Sequence, residues 1–147
     1  MKILAVDDDA VSLETVENAV RSAAPENEIY GFDSALAALA KAREERIDVA
    51  FLDIRMPELS GIDLGRYLRE LNPYTNLIYV SEHKEFGCEV MALRASGYLE
   101  KPASKQKVRE ELDALRFPDQ SKGRKRAFGK SLYIFEVNLL FFLRISP

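Results

Sequence analysis

One cysteine, one histidine and no tryptophan among 147 residues narrow the chemistry at the outset. Cys88 stands alone, so an internal disulfide is excluded and a reducing compartment is expected. His83, the only histidine, reads as an exposed residue at a helix start rather than a metal ligand or phosphorelay group. The chain also has no long hydrophobic run. A membrane span needs about 20 apolar residues, and the longest stretch here, Leu132 to Ile145, is interrupted by Glu136 and Asn138. The opening apolar run is four residues long before Asp7, so no signal peptide is expected. A net charge of −3 gives no single-sign field that would draw the whole chain to nucleic acid or to a membrane. There are no internal repeats. These absences together lead us to expect a cytoplasmic protein with no membrane partner.

What remains is a chain of 47% hydrophobic residues, enough for one domain with a substantial core and an appendage. Residues 1–116 alternate short apolar runs with amphipathic stretches. Ile3–Val6, Glu28–Phe32, Val49–Leu52, Leu77–Val80 and Tyr98-Leu99 read as strands, the second of them weak. Helices are expected over 10–23, with Asp9 as cap and Val11, Val16, Ala19, Val20 and Ala23 near helical spacing, and after Ser34, with Leu36, Leu39 and Ala40 on one face. Further helices are expected over 62–71, roughly 85–94, and 104–115 with Val108, Leu112 and Leu115 inward. Strands alternating with helices predict an α/β fold, a doubly wound parallel sheet with helices on both faces.

Carboxylates fall at the tips of two of these strands. Asp7-Asp8-Asp9 ends the first apolar run and Asp53 ends the third, where open α/β sheets hold their ligands. If those strands are neighbours, Asp7, Asp8 and Asp53 converge, and like charges so close call for a divalent cation. Magnesium takes about six oxygens at roughly 2.0–2.1 Å and keeps several waters. Two carboxylates and a loop carbonyl, which Arg55 is placed to offer, would serve. Lys101, at the end of the fifth strand, can reach a carboxylate or phosphate across the same edge as a compact point charge. Ser81, at the end of the fourth, can bond a phosphoryl oxygen. Tyr98 lies one strand over, either as core or as a ring that moves with Ser81. Read singly, each of these residues is also an ordinary cap or loop residue.

Together they resemble the receiver domain of bacterial two-component response regulators. The resemblance rests on Ile3-Leu4-Ala5-Val6-Asp7-Asp8-Asp9, Phe51-Leu52-Asp53-Ile54-Arg55-Met56-Pro57, Gly61, Ser81 and Ser96-Gly97-Tyr98-Leu99-Glu100-Lys101-Pro102. It implies a flavodoxin-like five-stranded sheet of order 2-1-3-4-5. It implies that Asp53 accepts a phosphoryl group from a sensor histidine kinase, in a signalling domain rather than a conventional enzyme. Mg²⁺ would be held by Asp8 and Asp53 directly, by Asp7 through water and by the Arg55 carbonyl. Lys101 and Ser81 would hold the phosphoryl oxygens, with Ser81 and Tyr98 as the switch. Output would be dimerisation through the face of the fourth helix, fifth strand and fifth helix. The short fourth helix, with Phe86 and Met91, resembles receivers joined to DNA-binding effectors, which implies transcription regulation. Glu82 departs from the pattern: a small residue is more usual after the serine, and a carboxylate there would alter access to the phosphate.

Beyond residue 116 the character changes. Residues 117–131 read as a linker carrying the basic run Lys122, Arg124, Lys125, Arg126 and Lys130. Residues 132–147 form an apolar tail, read as the truncated or frame-altered start of an effector domain. DNA contact is then expected only through a fuller effector. Two rivals compete. One is a receiver-like interaction module that works without phosphorylation. The other is a small phosphatase of the haloacid dehalogenase type with Asp7 and Asp9 as its paired aspartates, which leaves Asp53 and the Met56-Pro57 loop unexplained.

Overall fold

The computed structural model describes residues 1–119. Val49-Ala50-Phe51-Leu52 carries no polar side chain, and a run of that kind suits a strand covered on both faces. It becomes the centre of a five-stranded parallel sheet: β1 (Lys2–Val6), β2 (Glu28–Phe32), β3 (Val49–Asp53), β4 (Asn76–Ser81) and β5 (Gly97–Glu100), in the order β2-β1-β3-β4-β5. β1 and β3 are neighbours in register Ile3↔Val49 through Val6↔Leu52, so their carboxyl tips meet at one edge. The helices are α1 (Ala10–Ala23), α2 (Ala35–Glu44), α3 (Gly61–Leu71), α4 (Gly87–Ala92) and α5 (Lys105–Asp113).

Because side chains alternate across a strand, each strand feeds two cores. Leu4, Leu52 and Leu77 pack with Leu39, Leu64, Leu68 and Val90 of α2, α3 and α4. Ile3, Phe51 and Ile78 pack with Val16, Val20 and Val108 of α1 and α5 on the other face. Asp9, Ser34, Ser60 and Ser104 cap α1, α2, α3 and α5, each accepting the backbone N–H three residues on. Such caps each contribute about 1 kcal/mol and fix where the connections into α1, α2, α3 and α5 turn.

Three inward assignments change. Val11 is 72% exposed: it lies two residues, roughly 200° of helix rotation, from Leu13, which begins the buried stripe. Leu36 and Ala40 face solvent, and α2 buries Ala35, Ala38, Leu39 and Ala42 instead. With alanine at so many positions, helical periodicity there is too shallow to pick the face. The helix expected over 85–94 is a 3₁₀ turn at Lys84–Phe86 followed by the short α4. Among the described residues, no helix is long and apolar enough to cross a membrane. The basic run and the apolar tail lie outside the described residues.

Tyr79 is fully buried in β4 and its hydroxyl has no hydrogen-bond partner. It fits because Gly65 of α3 sits opposite: a Cβ there would collide first with the Tyr79 hydroxyl and next with Leu77 Cδ1. A buried unmade hydrogen bond costs about 1–3 kcal/mol. Tyr79→Phe should therefore raise stability by roughly 1 kcal/mol, and Gly65→Ala should lower it by roughly 1–3 kcal/mol. In the double variant most of the Gly65→Ala loss should disappear. Urea denaturation of the four proteins checks this, and strictly additive effects would remove the proposed contact.

Candidate functional site

Asp7 follows β1 and Asp53 ends β3, and the pairing of those strands brings their carboxylates together. One carboxylate oxygen from each of Asp7, Asp8 and Asp53 lies within 4.8 Å of the others. Asp7 and Asp53 are buried while Asp8 is exposed, so the cluster opens to solvent on one side. The Lys101 ammonium, carried to the same edge at the end of β5, lies 2.7 Å from Asp7 Oδ2 and 3.2 Å from Asp53 Oδ1. Burial, and then the charge of Asp7, push the Asp53 carboxyl above its ordinary range, and Lys101 only partly offsets them. Burial works against the Lys101 charge, but the hydrogen bond to Asp7 and the charges of Asp53 and Asp7 outweigh it and raise its pKa.

Backbone groups hold this arrangement. The Asp9 N–H donates to Asp7 Oδ1 at 2.9 Å while the Asp9 carboxylate caps α1, so one residue both orients Asp7 and starts the helix. The loop after Asp53 folds back so that the Gly61 N–H donates to the Ile54 carbonyl at 2.8 Å. A Cβ at Gly61 would collide with the Asp53 backbone carbonyl, so only glycine lets α3 start this close to the acidic edge. The Lys101 N–H donates to the Ser81 carbonyl at 3.0 Å, and the Lys101-Pro102 peptide is cis.

Ser81 is buried at the tip of β4, and its Oγ accepts the His83 N–H at 3.1 Å. The His83 carbonyl in turn accepts the Tyr98 hydroxyl, whose ring packs against the α2–α4 core. The backbone of one loop residue thus joins the two expected switch residues. The His83 side chain is partly exposed, 3.4 Å from Glu85. The Arg55 side chain reaches Glu85 at 3.5 Å and the Phe86 ring at 5.2 Å. Glu82 is exposed. The acids of α5 do not join the cluster, which among the described residues consists of Asp7, Asp8 and Asp53 alone.

A hard oxygen set with an open side suits Mg²⁺ or a similar divalent ion. Sequence reasoning missed the Asp9 amide, the close approach at Gly61 and the His83 relay. The glycine just before Ile62 was the signal for the second. The other two are backbone bonds that carry no residue preference.

Without metal, an uncharged side chain at position 53 should relieve the crowding, leaving Lys101 to Asp7. Asp53→Asn in chelator at neutral pH should melt a few degrees above wild type. The sign follows from a folded pKa above the 3.8 of an ordinary aspartate: the penalty is present above the folded value and fades as pH falls toward 3.8. The gap between the two melting curves should therefore close in acid, and a gap that widens there would contradict this electrostatic account.

The comparisons with known proteins agree with this geometry. The family model described as the response regulator receiver domain matches residues 3–113. The sensory transduction protein LytR of Staphylococcus epidermidis is 25% identical over 127 residues, covering 86% of this chain and 50% of that protein. The probable transcriptional regulatory protein TcrX of Mycobacterium tuberculosis is 34% identical, over 77% of this chain and 48% of its own length. The chain spans half or less of the length of these curated relatives. Among solved structures, the response regulatory domain of mrkE from Klebsiella pneumoniae superposes with a TM-score of 0.71 at 26% identity, covering 78% of this chain and 94% of that one. The receiver domain protein from Clostridium thermocellum gives 0.66 at 28%, covering 76% and 90%. The convergence of Asp7, Asp8, Asp53 and Lys101 on one edge of a 2-1-3-4-5 sheet, and the family match across that sheet, make this chain a member of the response regulator receiver family.

Proposed function

We propose that the chain is a phosphorylation-controlled switch in which Asp53 is the phosphoacceptor. The observation that carries this reading is the Asp53 carboxylate at the tip of the central strand, with Asp7 and Asp8 within 4.8 Å and the Lys101 ammonium at 3.2 Å. An Asp53 oxygen attacks the phosphorus of a sensor kinase's phosphohistidine. The P–N bond breaks, the imidazole leaves with the electron pair, and an acyl phosphate remains on Asp53. Phosphoryl transfer needs alignment and charge neutralisation more than covalent help. Asp8 and Asp53 would hold Mg²⁺ directly, with Asp7 acting through water and the Arg55 carbonyl as a further ligand, and the ion would supply charge neutralisation for the phosphoryl oxygens. Lys101 takes one phosphoryl oxygen and the Ser81 hydroxyl another.

A Ser81 hydroxyl drawn toward the phosphoryl group releases or reshapes its bond to the His83 N–H, and the His83 carbonyl passes the change to Tyr98. The output is a rearranged α4–β5–α5 face, where Met91 is 60% exposed, available for homodimerisation. In a longer protein this output would act on transcription through a DNA-binding effector domain, as the name of the TcrX relative suggests. The working compartment is the cytoplasm.

Intact-mass spectrometry after incubation with acetyl phosphate should show one phosphoryl adduct on wild type with Mg²⁺. The adduct should be absent with EDTA and absent on Asp53→Asn. An adduct on the variant would refute the acceptor assignment. No adduct on either protein would favour an interaction module that works without phosphorylation.

A further inference from the structure

The amino end of the sheet, opposite the acidic centre, holds a second organised cluster. α5 stops at Asp113, and the chain then passes beneath β4 and β5 instead of continuing outward as a helix. Asn76, the first residue of β4 and buried, captures Phe117 by both backbone groups. Its Nδ2 donates to the Phe117 carbonyl at 2.8 Å, and its Oδ1 accepts the Phe117 N–H at 2.8 Å. The same Oδ1 accepts the Ser96 hydroxyl at 2.7 Å, and Ser96 Oγ accepts the Arg116 N–H at 3.3 Å. A side-chain amide thus does for residue 117 what a neighbouring strand would do. The Phe117 ring sits edge-on to Tyr74 at 5.7 Å and beneath the Arg69 guanidinium at 5.2 Å.

Arg69 is the hinge of this cluster. Its Nε donates to the Thr75 carbonyl at 2.9 Å, Nη1 to the Leu93 carbonyl at 3.2 Å and Nη2 to the Arg94 carbonyl at 2.7 Å. Leu93 and Arg94 lead from α4 into β5, and Arg94 has φ 54°. Arg94 is the left-handed residue that closes α4, its N–H donating to the Met91 carbonyl at 3.0 Å and the Ala95 N–H to the Val90 carbonyl at 3.3 Å, and the guanidinium adds a bond to its carbonyl. One planar cation therefore touches the α4–β5 connection with its donors and the departing chain with its face. α4 itself is weakly held: it spans six residues, lacks a side-chain cap and buries only Val90.

We propose that Arg69 and Asn76 form a joint that carries displacement of the α4–β5 connection to the chain leaving at Phe117. A shift of the Leu93 and Arg94 carbonyls moves the guanidinium, the guanidinium moves the Phe117 ring, and Asn76 and Ser96 keep the backbone of 116–117 registered to the sheet. Arg69 and Asn76 are positioning residues for Phe117, acting on its ring and its backbone. The trigger rests on the receiver reading above; the joint is a separate claim about the opposite end of the sheet.

The test is amide NMR on the full chain with Mg²⁺ and beryllofluoride as the acyl-phosphate mimic. In wild type, the amides of Asp53 and Ile54 should shift, and those of Arg116 and Phe117 should shift with them. In Arg69→Gln the Asp53 response should persist while the Phe117 response falls severalfold. Phe117→Leu, which leaves Arg69 and α4 intact, should likewise blunt the response at 116–117 if the first variant folds poorly. A purely structural Arg69 would lower the melting temperature without separating the two responses. Asp53 shifts with an unmoved Phe117 amide in wild type, or an undiminished Phe117 response in both variants, would overturn the joint alone. Silence at Asp53 itself would instead defeat the receiver reading and remove the trigger with it.

Discussion

The structure depends on an unbalanced charge set at one edge of a sheet. Carboxylates from Asp7, Asp8 and Asp53 gather within 4.8 Å, and one ammonium, Lys101, answers them. At an intermediate effective dielectric of about 20, two unit charges at that distance repel by about 3 kcal/mol. Such a cluster survives only if the backbone imposes it. The parallel sheet does so: its strands place their carboxyl tips side by side, and β1, β3 and β5 deliver the two buried acids and the lysine to one edge. The rest of the fold serves that placement. Buried faces on both sides of β3 fix its register, and capped helix starts fix the turns into α1, α2, α3 and α5.

A centre under such strain responds readily to added positive charge. Neutralisation by a cation relieves the repulsion, while a phosphoryl group adds negative charge and draws on every donor nearby. Ser81 and Lys101 are joined through backbone, since the Lys101 N–H donates to the Ser81 carbonyl. Ser81 is joined to Tyr98 through His83. Few bonds therefore separate a change of charge at Asp53 from a change of surface at β5. The elements around those bonds are the weakly anchored ones, a 3₁₀ turn without a side-chain cap and a six-residue helix.

How far the sequence speaks follows from what each feature needs. Apolar runs are local, and they were enough to expect the five strands and the parallel sheet, with Asp7, Asp8 and Asp53 converging if the first and third strands are neighbours. The strand order came from the resemblance to receivers, not from the runs. Asp9 and Ser34 announced their helices because capping is a three-residue matter. The inward face of α2 was illegible because its stripe is mostly alanine, and Val11 misled because a lone apolar residue at a helix start fits the period only loosely. Features that join distant segments left no trace: Tyr79 fitting against Gly65, Arg69 reaching residues 93 and 94, and Asn76 receiving Phe117. Each pairs ordinary residues far apart in sequence, and no periodicity records such a pairing.

The two ends of the sheet are built on opposite principles. At the carboxyl end charges are crowded and incompletely answered, which keeps that end responsive. At the amino end the side chains answer backbone groups: Thr75 Oγ1 and Asn72 Nδ2 both donate to the Ile47 carbonyl, Asn76 pairs Phe117, and Arg69 covers three further carbonyls. Hydrogen bonds between partners that are all satisfied resist displacement, because breaking one leaves a buried polar group unpaired at a cost of about 1–3 kcal/mol. For the proposed joint, a stiff amino end would let a small motion in α4 be passed on rather than absorbed. Were the segment at 116–117 loosely attached, its orientation would average out whatever happened at Asp53. The responsive edge and the rigid base are therefore two requirements of the same switch.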